Sequence, residues 1–232
     1  MWCYRLVGWN EAAYEILGGS DESAEARDEL AELEGWIGGP LPESVREWYL
    51  LGGDRRLTSI SSTLVTQTRD FTSPRVSRLL DNGYLLLETD TQHCCRWVVA
   101  VSAAHGDPPV YLIDPNDDTC TTRSRYAATF SDYAFTASWD ATLWKGVLSA
   151  DFDHPLPPDA LDTLRLRLTA LPTTHGWAMN QGCDAVYRFS GPAKVAVAVT
   201  GSTALWSAIA APSTARRDAL ATLIGATPGD SP

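Results

Sequence analysis

The densest run of reactive side chains is "ETDTQHCCRW", Glu88 to Trp97. A thiol nucleophile needs a base within hydrogen-bond reach and a third group to orient that base. His93 beside Cys94 and Cys95 supplies the first two residue types. Adjacent side chains on a strand leave by opposite faces, so His93 and Cys94 should diverge. His93 and Cys95 would share a face only as neighbours along the strand, a poor arrangement for proton transfer. The expectation is therefore buried strand cysteines beside a solvent-facing turn. Asp90, Gln92 and His93 then become candidates for contact with a partner, not for catalysis.

A second run, "DPNDDTC", resembles a calcium loop in part. Asp114, Asn116 and Asp118 stand where a calcium loop has its first three side-chain ligands. The sixth position is Thr119 where the sharp turn needs glycine, and the twelfth is Arg125 where a bidentate glutamate is needed. The loop is thus no EF-hand. It reads as an acidic turn whose Asp114, Asn116, Asp117 and Asp118 are candidates to meet a basic partner. Arg55-Arg56 is a weak anion site, more readily explained by pairing with local acids.

Other chemical signatures are missing. There is no phosphate-binding glycine loop, nucleophile elbow or paired-histidine zinc motif. The four histidines stand apart in sequence, and the five cysteines (Cys3, Cys94, Cys95, Cys120, Cys183) form no CxxC pair. That spacing gives neither a zinc ribbon nor a disulfide framework, so free thiols in a reducing cytoplasm are expected. No catalytic residue, cofactor or metal is assigned.

The elements that would carry these residues are legible in outline. The 232-residue chain has 44% hydrophobic residues, nine tryptophans and a formal charge of −11, which is a globular composition with ample material for a core. Such acidity argues against direct nucleic-acid binding, which needs a basic footprint. The start, "MWCYRLVGWNE", lacks the features of a secretory signal, and no apolar run is long enough for a membrane span. From Glu11 to Glu34 nine acids face the single base Arg27. These helices, with Asp28 and Glu32 on their polar side, are the candidate landing strip for a cationic protein.

Asn10 is placed to cap a first helix, "EAAYEIL", and Ser20 a second whose Ala26, Leu30, Leu33 and Ile37 share one side. In "GGPLPESVREWYLLGG" Pro42 suits a first helical turn and Gly52 a C′ position. Val45 and Trp48 turn inward, with Tyr49 at the rim as a candidate contact for a partner. Beyond Leu57 "SISSTLVTQT", "YLLLE", "RWVVAV" and "VYLI" read as strands of an antiparallel sheet. "TFSDYAFTASWDATLW" reads as a helix capped by Ser131, with Phe130, Tyr133, Ala134, Ala137, Ala141 and Trp144 available to bury. "SADFDHPLPPD" reads as a linker. After it come a helix, three strands with Val195, Val197 and Val199 on one face, a closing helix ending at Gly225 and a frayed tail.

The order of these motifs resembles the SUKH superfamily. "LEGWIGGPLPESVREWYLLGG" is similar to its N-terminal signature, and the run from "GYLLLETD" through "RWVVAV" to "DPPVYLIDPND" is similar to its strands. "YAATFSDYAFTASWD" resembles its closing helix. The likeness covers roughly residues 20–147 and is nearest to an actinobacterial-looking variant, although the polar "TQHCC" departs from the glycine-bearing turn of such relatives. It implies a non-enzymatic α+β binding fold with no catalytic residues to transfer, and bacterial members are associated with immunity to polymorphic toxins, many of them nucleases.

The expectation is therefore an α+β protein: a SUKH-like domain at 1–147 with N-terminal helices, central antiparallel sheet and closing helix, a linker at 148–158, and a small αβββα module at 159–227. The first functional reading is a cytoplasmic immunity protein that binds a basic toxin domain and touches neither nucleic acid nor membrane. A regulatory or scaffold protein is the alternative, and a cysteine-dependent enzyme the third.

Overall fold

The computed structural model describes residues 8–102, 106–145, 149–176 and 183–226. Cys3, His105 and the tail from residue 227 lie outside them. The chain is α+β, with eight α-helices and two five-stranded antiparallel sheets among the described residues. It divides into two compact units, Met1–Ala141 and Thr142–Pro232. No helix among the described residues is long and apolar enough to cross a membrane.

The first unit opens with α1 (Glu11–Leu17), α2 (Ala24–Ile37), α3 (Glu43–Leu50) and α4 (Gly53–Thr58). Asn10 holds the N-cap position of α1 but makes no capping bond there. Its Nδ2 instead donates to Ser44 O (2.8 Å) and Glu47 Oε1 (3.3 Å). The Glu47 carboxylate also accepts the amides of Trp9 (3.1 Å) and Asn10 (2.9 Å), so α3 provides the cap that α1 lacks. The cap of α2 is Ser23, whose hydroxyl accepts from Ala26 N (3.3 Å), and not Ser20. On α2, Ala26, Leu30 and Leu33 are buried as their spacing requires.

Helix α3 begins one residue after Pro42, which takes the N-cap position, and Gly52 follows its end at φ 73°. That left-handed conformation suits glycine and ends the helix. Trp48 is 2% exposed. It stacks on Tyr14 (centroids 5.9 Å apart) and meets Phe130 edge-on (6.3 Å). Tyr49, expected at the rim, is buried at 1% exposure and packs edge-on against Phe71 (5.1 Å). With both aromatics buried, the helix is enclosed on two sides rather than lying on a surface.

The first sheet is a meander of β1 (Leu64–Val65), β2 (Tyr84–Thr89), β3 (Arg96–Ala100), β4 (Val110–Ile113) and β5 (Ser124–Ala127), paired in chain order. Only two residues of "SISSTLVTQT" form strand. Thr68–Asp70 is a 3-10 turn, with the Asp70 carboxylate accepting Gln67 N at 2.9 Å. Helix α5 (Pro74–Leu80) follows and packs against β2. It fills the interval between "SISSTLVTQT" and "YLLLE", for which the sequence pattern predicts no element. Helix α6 (Phe130–Lys145) is entered through Asp107, whose carboxylate accepts Ser131 N (2.9 Å), while Thr129 Oγ1 accepts Asp132 N (3.1 Å). Ser131 is therefore a donor to a cap rather than the cap. Tyr133 of α6 donates to the buried Glu88 carboxylate at 2.7 Å, and Thr63 does so at 2.6 Å. Trp144 remains 37% exposed.

In the second unit β6 (Ser149–Phe152) pairs with β10 (Thr203–Ala210), giving the order β6-β10-β9-β8-β7 with β9 at Lys194–Thr200, β8 at Ala185–Ser190 and β7 at Thr169–Ala170. The stretch read as linker thus supplies an edge strand. Its backbone groups find a ladder in β10 that could not be foreseen from composition, and the prolines come only afterwards. Helices α7 (Ala160–Arg167) and α8 (Thr214–Leu223) accompany the sheet. Val195, Val197 and Val199 share one apolar cluster with Leu164, Ala221 and Ile224, as strand alternation requires.

Candidate functional site

Two surfaces of the first unit gather the candidate residues other than Tyr49, which is buried and open to no partner. The first is α2. Asp28 and Glu32 are both exposed, as their place opposite Leu30 and Leu33 demands. Glu25, Glu29, Glu32 and Trp36 recur every three to four residues and so form one stripe along the helix. Trp36 is 48% exposed, and it borders a cleft of about 240 Å³ shared with Glu29, Glu32, Thr68, Arg69 and Phe71. Trp36 was not foreseen as a contact residue. Its position off the Leu30–Leu33 side was the signal available.

The second surface lies where the β2–β3 turn meets the loop after β4. "TQHCC" is a turn and not part of a strand. Asp90 N donates to Cys95 O (3.1 Å), and its Oδ2 accepts the amides of Gln92 (2.9 Å) and Cys94 (3.2 Å). His93 sits at φ 57°, in the left-handed region. The buried Asp90 carboxylate is therefore committed to holding the turn, while Gln92 and His93 are exposed on it. Cys95 is buried, and its thiol is pushed up to about 12, first by burial and then by the charges of Asp90, Cys94 and Glu88. Burial likewise pushes Cys120 up to about 11. A thiol held so far above neutral pH is a poor nucleophile.

The DPNDD loop is knitted in a similar way. Asp114 Oδ1 accepts Asn116 N at 2.8 Å. Asp117 accepts the amides of Thr119 (3.0 Å) and Thr122 (2.8 Å) and the hydroxyls of Thr119, Thr121 and Thr122 (2.6, 3.2 and 2.7 Å). These donors, led by the Thr119 hydroxyl, hold its carboxyl well below the usual carboxylate range. Asp118 pairs with Arg96 Nη1 (2.8 Å) and lies 3.7 Å from Arg78 Nη1. Asn116 and Asp114 remain exposed. Among the described residues no three His, Cys, Asp or Glu side chains are placed to hold a metal ion.

His93, Asn116 and Asp118 come together in an open pocket of about 500 Å³. Its other walls were not anticipated. Pro74, Arg75 and Arg78 come from α5, Thr89 from the end of β2 and Arg96 from the start of β3. Thr89 and Arg96 are direct cross-strand partners. Asp28, Glu32 and Tyr49 are not part of it. Compared with models of protein families, with curated proteins and with solved structures, the chain matches none.

Proposed function

We propose that this chain is a non-enzymatic protein-binding module, an immunity protein of the SUKH kind that acts in the cytoplasm by capturing a basic toxin domain. The observation that carries the reading is the α2 stripe, in which Glu25, Glu29 and Glu32 lead to the half-exposed Trp36 above a cleft. Tryptophan is the side chain most enriched among residues that dominate binding energy, and a flanking row of acids steers and selects a cationic partner. A nuclease domain, whose own surface must attract phosphates, has the matching charge. The motif order that resembles SUKH proteins, together with the net charge of −11, supports the same reading.

The test is co-production with a basic toxin domain encoded beside the chain's own gene. Wild-type chain should restore growth. Trp36→Ala should weaken the complex by about 2 kcal/mol or more and leave the melting temperature unchanged, since the side chain is half in solvent. Glu29→Gln with Glu32→Gln should slow association. Failure of the wild type to protect, or equal protection by every variant, overturns the proposal.

The second reading is a regulatory or scaffold protein, favoured by the second unit, which lies largely outside the SUKH-like span of the sequence. Recovery of one constant cellular partner, with no toxin gene adjacent, would select it. The cysteine-enzyme reading draws no support from a Cys95 thiol buried and pushed up to about 12.

A further inference from the structure

The pocket between α5 and the β2–β3 turn is lined by cations on a protein that is acidic as a whole. Arg75, Arg78 and Arg96 line it against one carboxylate, Asp118. That carboxylate already serves two of the three, with Arg96 at 2.8 Å and Arg78 at 3.7 Å. Arg75 makes no ion pair or hydrogen bond among the described residues, and its Nε is buried without a partner. Asp70, the acid whose charge acts on it, is engaged in capping its own turn through Gln67 N.

The wall is short of partners elsewhere as well. Arg96 is 4% exposed, and although its Nη atoms reach Asp118 and Asp114 O, its Nε has none. Thr89, opposite it across the ladder, is 2% exposed, and its Oγ1 is unpartnered. Burial, and then the neighbouring Arg96 charge, lower the Arg75 guanidinium from its ordinary value, with Asp70 acting in the other direction. Two guanidinium groups crowded together at a partly dry wall are costly unless an anion offsets them.

We propose that this pocket binds a small phosphomonoester, with the phosphate held by Arg75, Arg78 and Arg96 and the rest of the molecule lying along His93, Asn116 and Pro115. Three guanidinium groups set against one carboxylate leave two positive charges, which match the roughly −1.5 to −2 carried by a phosphomonoester at neutral pH. Guanidinium forks suit tetrahedral oxyanions because paired N–H groups meet paired oxygens. At about 500 Å³ the pocket exceeds the needs of a bare phosphate and falls in the range of small-molecule sites. The site shares no residue with the α2 stripe, so it stands or falls separately from the protein-binding proposal.

Calorimetry of the full chain with AMP, inorganic phosphate and adenosine at constant ionic strength tests it. AMP should bind about tenfold more tightly than phosphate, and adenosine should not bind at about 10 mM. Arg75→Gln should weaken AMP binding by about tenfold or more while melting no lower than wild type, because the lost charge was unpaired. Arg78→Gln removes a side chain that is 70% exposed, so it should fold normally and weaken binding in the same direction. Equal binding of AMP and phosphate would overturn the ester assignment and leave the free ion as ligand. No binding of either, or an affinity unchanged in Arg78→Gln, would overturn the site.

Discussion

Asp54 occupies the first turn of α4, fully buried, and no hydrogen bond of normal geometry reaches either carboxylate oxygen. Burial raises it from 3.8 to about 6, although the amides of Arg55, Thr68 and Asp54 itself and the Arg55 charge act to lower it. The folded state therefore holds this proton more tightly than the unfolded chain. Its stabilising contribution is complete below about pH 4 and is lost as pH rises through about 6. A shift of about two units corresponds to about 3 kcal/mol. Asp54→Asn should accordingly raise stability by up to that amount at pH 8 and by little at pH 4, as read from denaturant midpoints across the range. A constant difference at all pH values would show that the carboxyl titrates normally. Asp117 is the converse case, an aspartate saturated by donors whose charge is worth most above its unfolded value and fades as acid protonates it.

Helices α3 and α4 form one device, with Gly52 and Gly53 at the joint. Gly52 is needed for its left-handed backbone, whereas Gly53 is needed for space. A Cβ on Gly53 would fall within the Trp48 indole. Trp48→Ala should cost about 3–5 kcal/mol, as for other buried large aromatics. Gly53→Ala should cost about 1–3 kcal/mol through overpacking, although alanine is the better helix former. The informative measurement is the double variant. If Trp48 is what the new methyl strikes, Gly53→Ala should cost almost nothing further in a Trp48→Ala background. Additive losses would place the clash elsewhere. At the other end of this region Glu47 caps α1 from a distance, so the short first helix depends on α3 for its start.

The charge of the whole molecule governs encounter more than affinity. At −11, association with a basic partner should slow steeply as salt rises from about 0.05 to 0.5 M, since screening acts over about 4–14 Å in that range. Trp36→Ala should instead raise the dissociation rate and leave that salt slope intact. Stopped-flow measurements at several ionic strengths separate the two, and a salt-independent association rate would remove the acidic surface from the encounter. Within the same molecule the arginine pocket is oppositely charged, so a basic protein and a phosphomonoester need not compete for one surface.

Helix stripes, turn residues and strand alternation are properties of neighbouring residues, so they could be read directly. The N-terminal helices, the antiparallel strands, the inward Trp48 and the valines of β9 were legible for that reason. Short elements were not. Seven residues of α5 are too few for a periodic signal, although Ser73-Pro74 marked its start and Val76, Leu79 and Leu80 its buried side. Strand β6 exists only because β10 offers it a ladder. Which carboxylates remain free was also hidden, because Asp90 and Asp117 are committed to amides and hydroxyls within their own turns. The amino-acid sequence by itself determined the α+β class, the acidity and the acidic stripe of α2. Tertiary structure alone decided that Arg75, Arg78 and Arg96, up to 21 residues apart, line one pocket. Charge and periodicity are carried by the chain locally, whereas convergence of side chains depends on register and packing between distant segments.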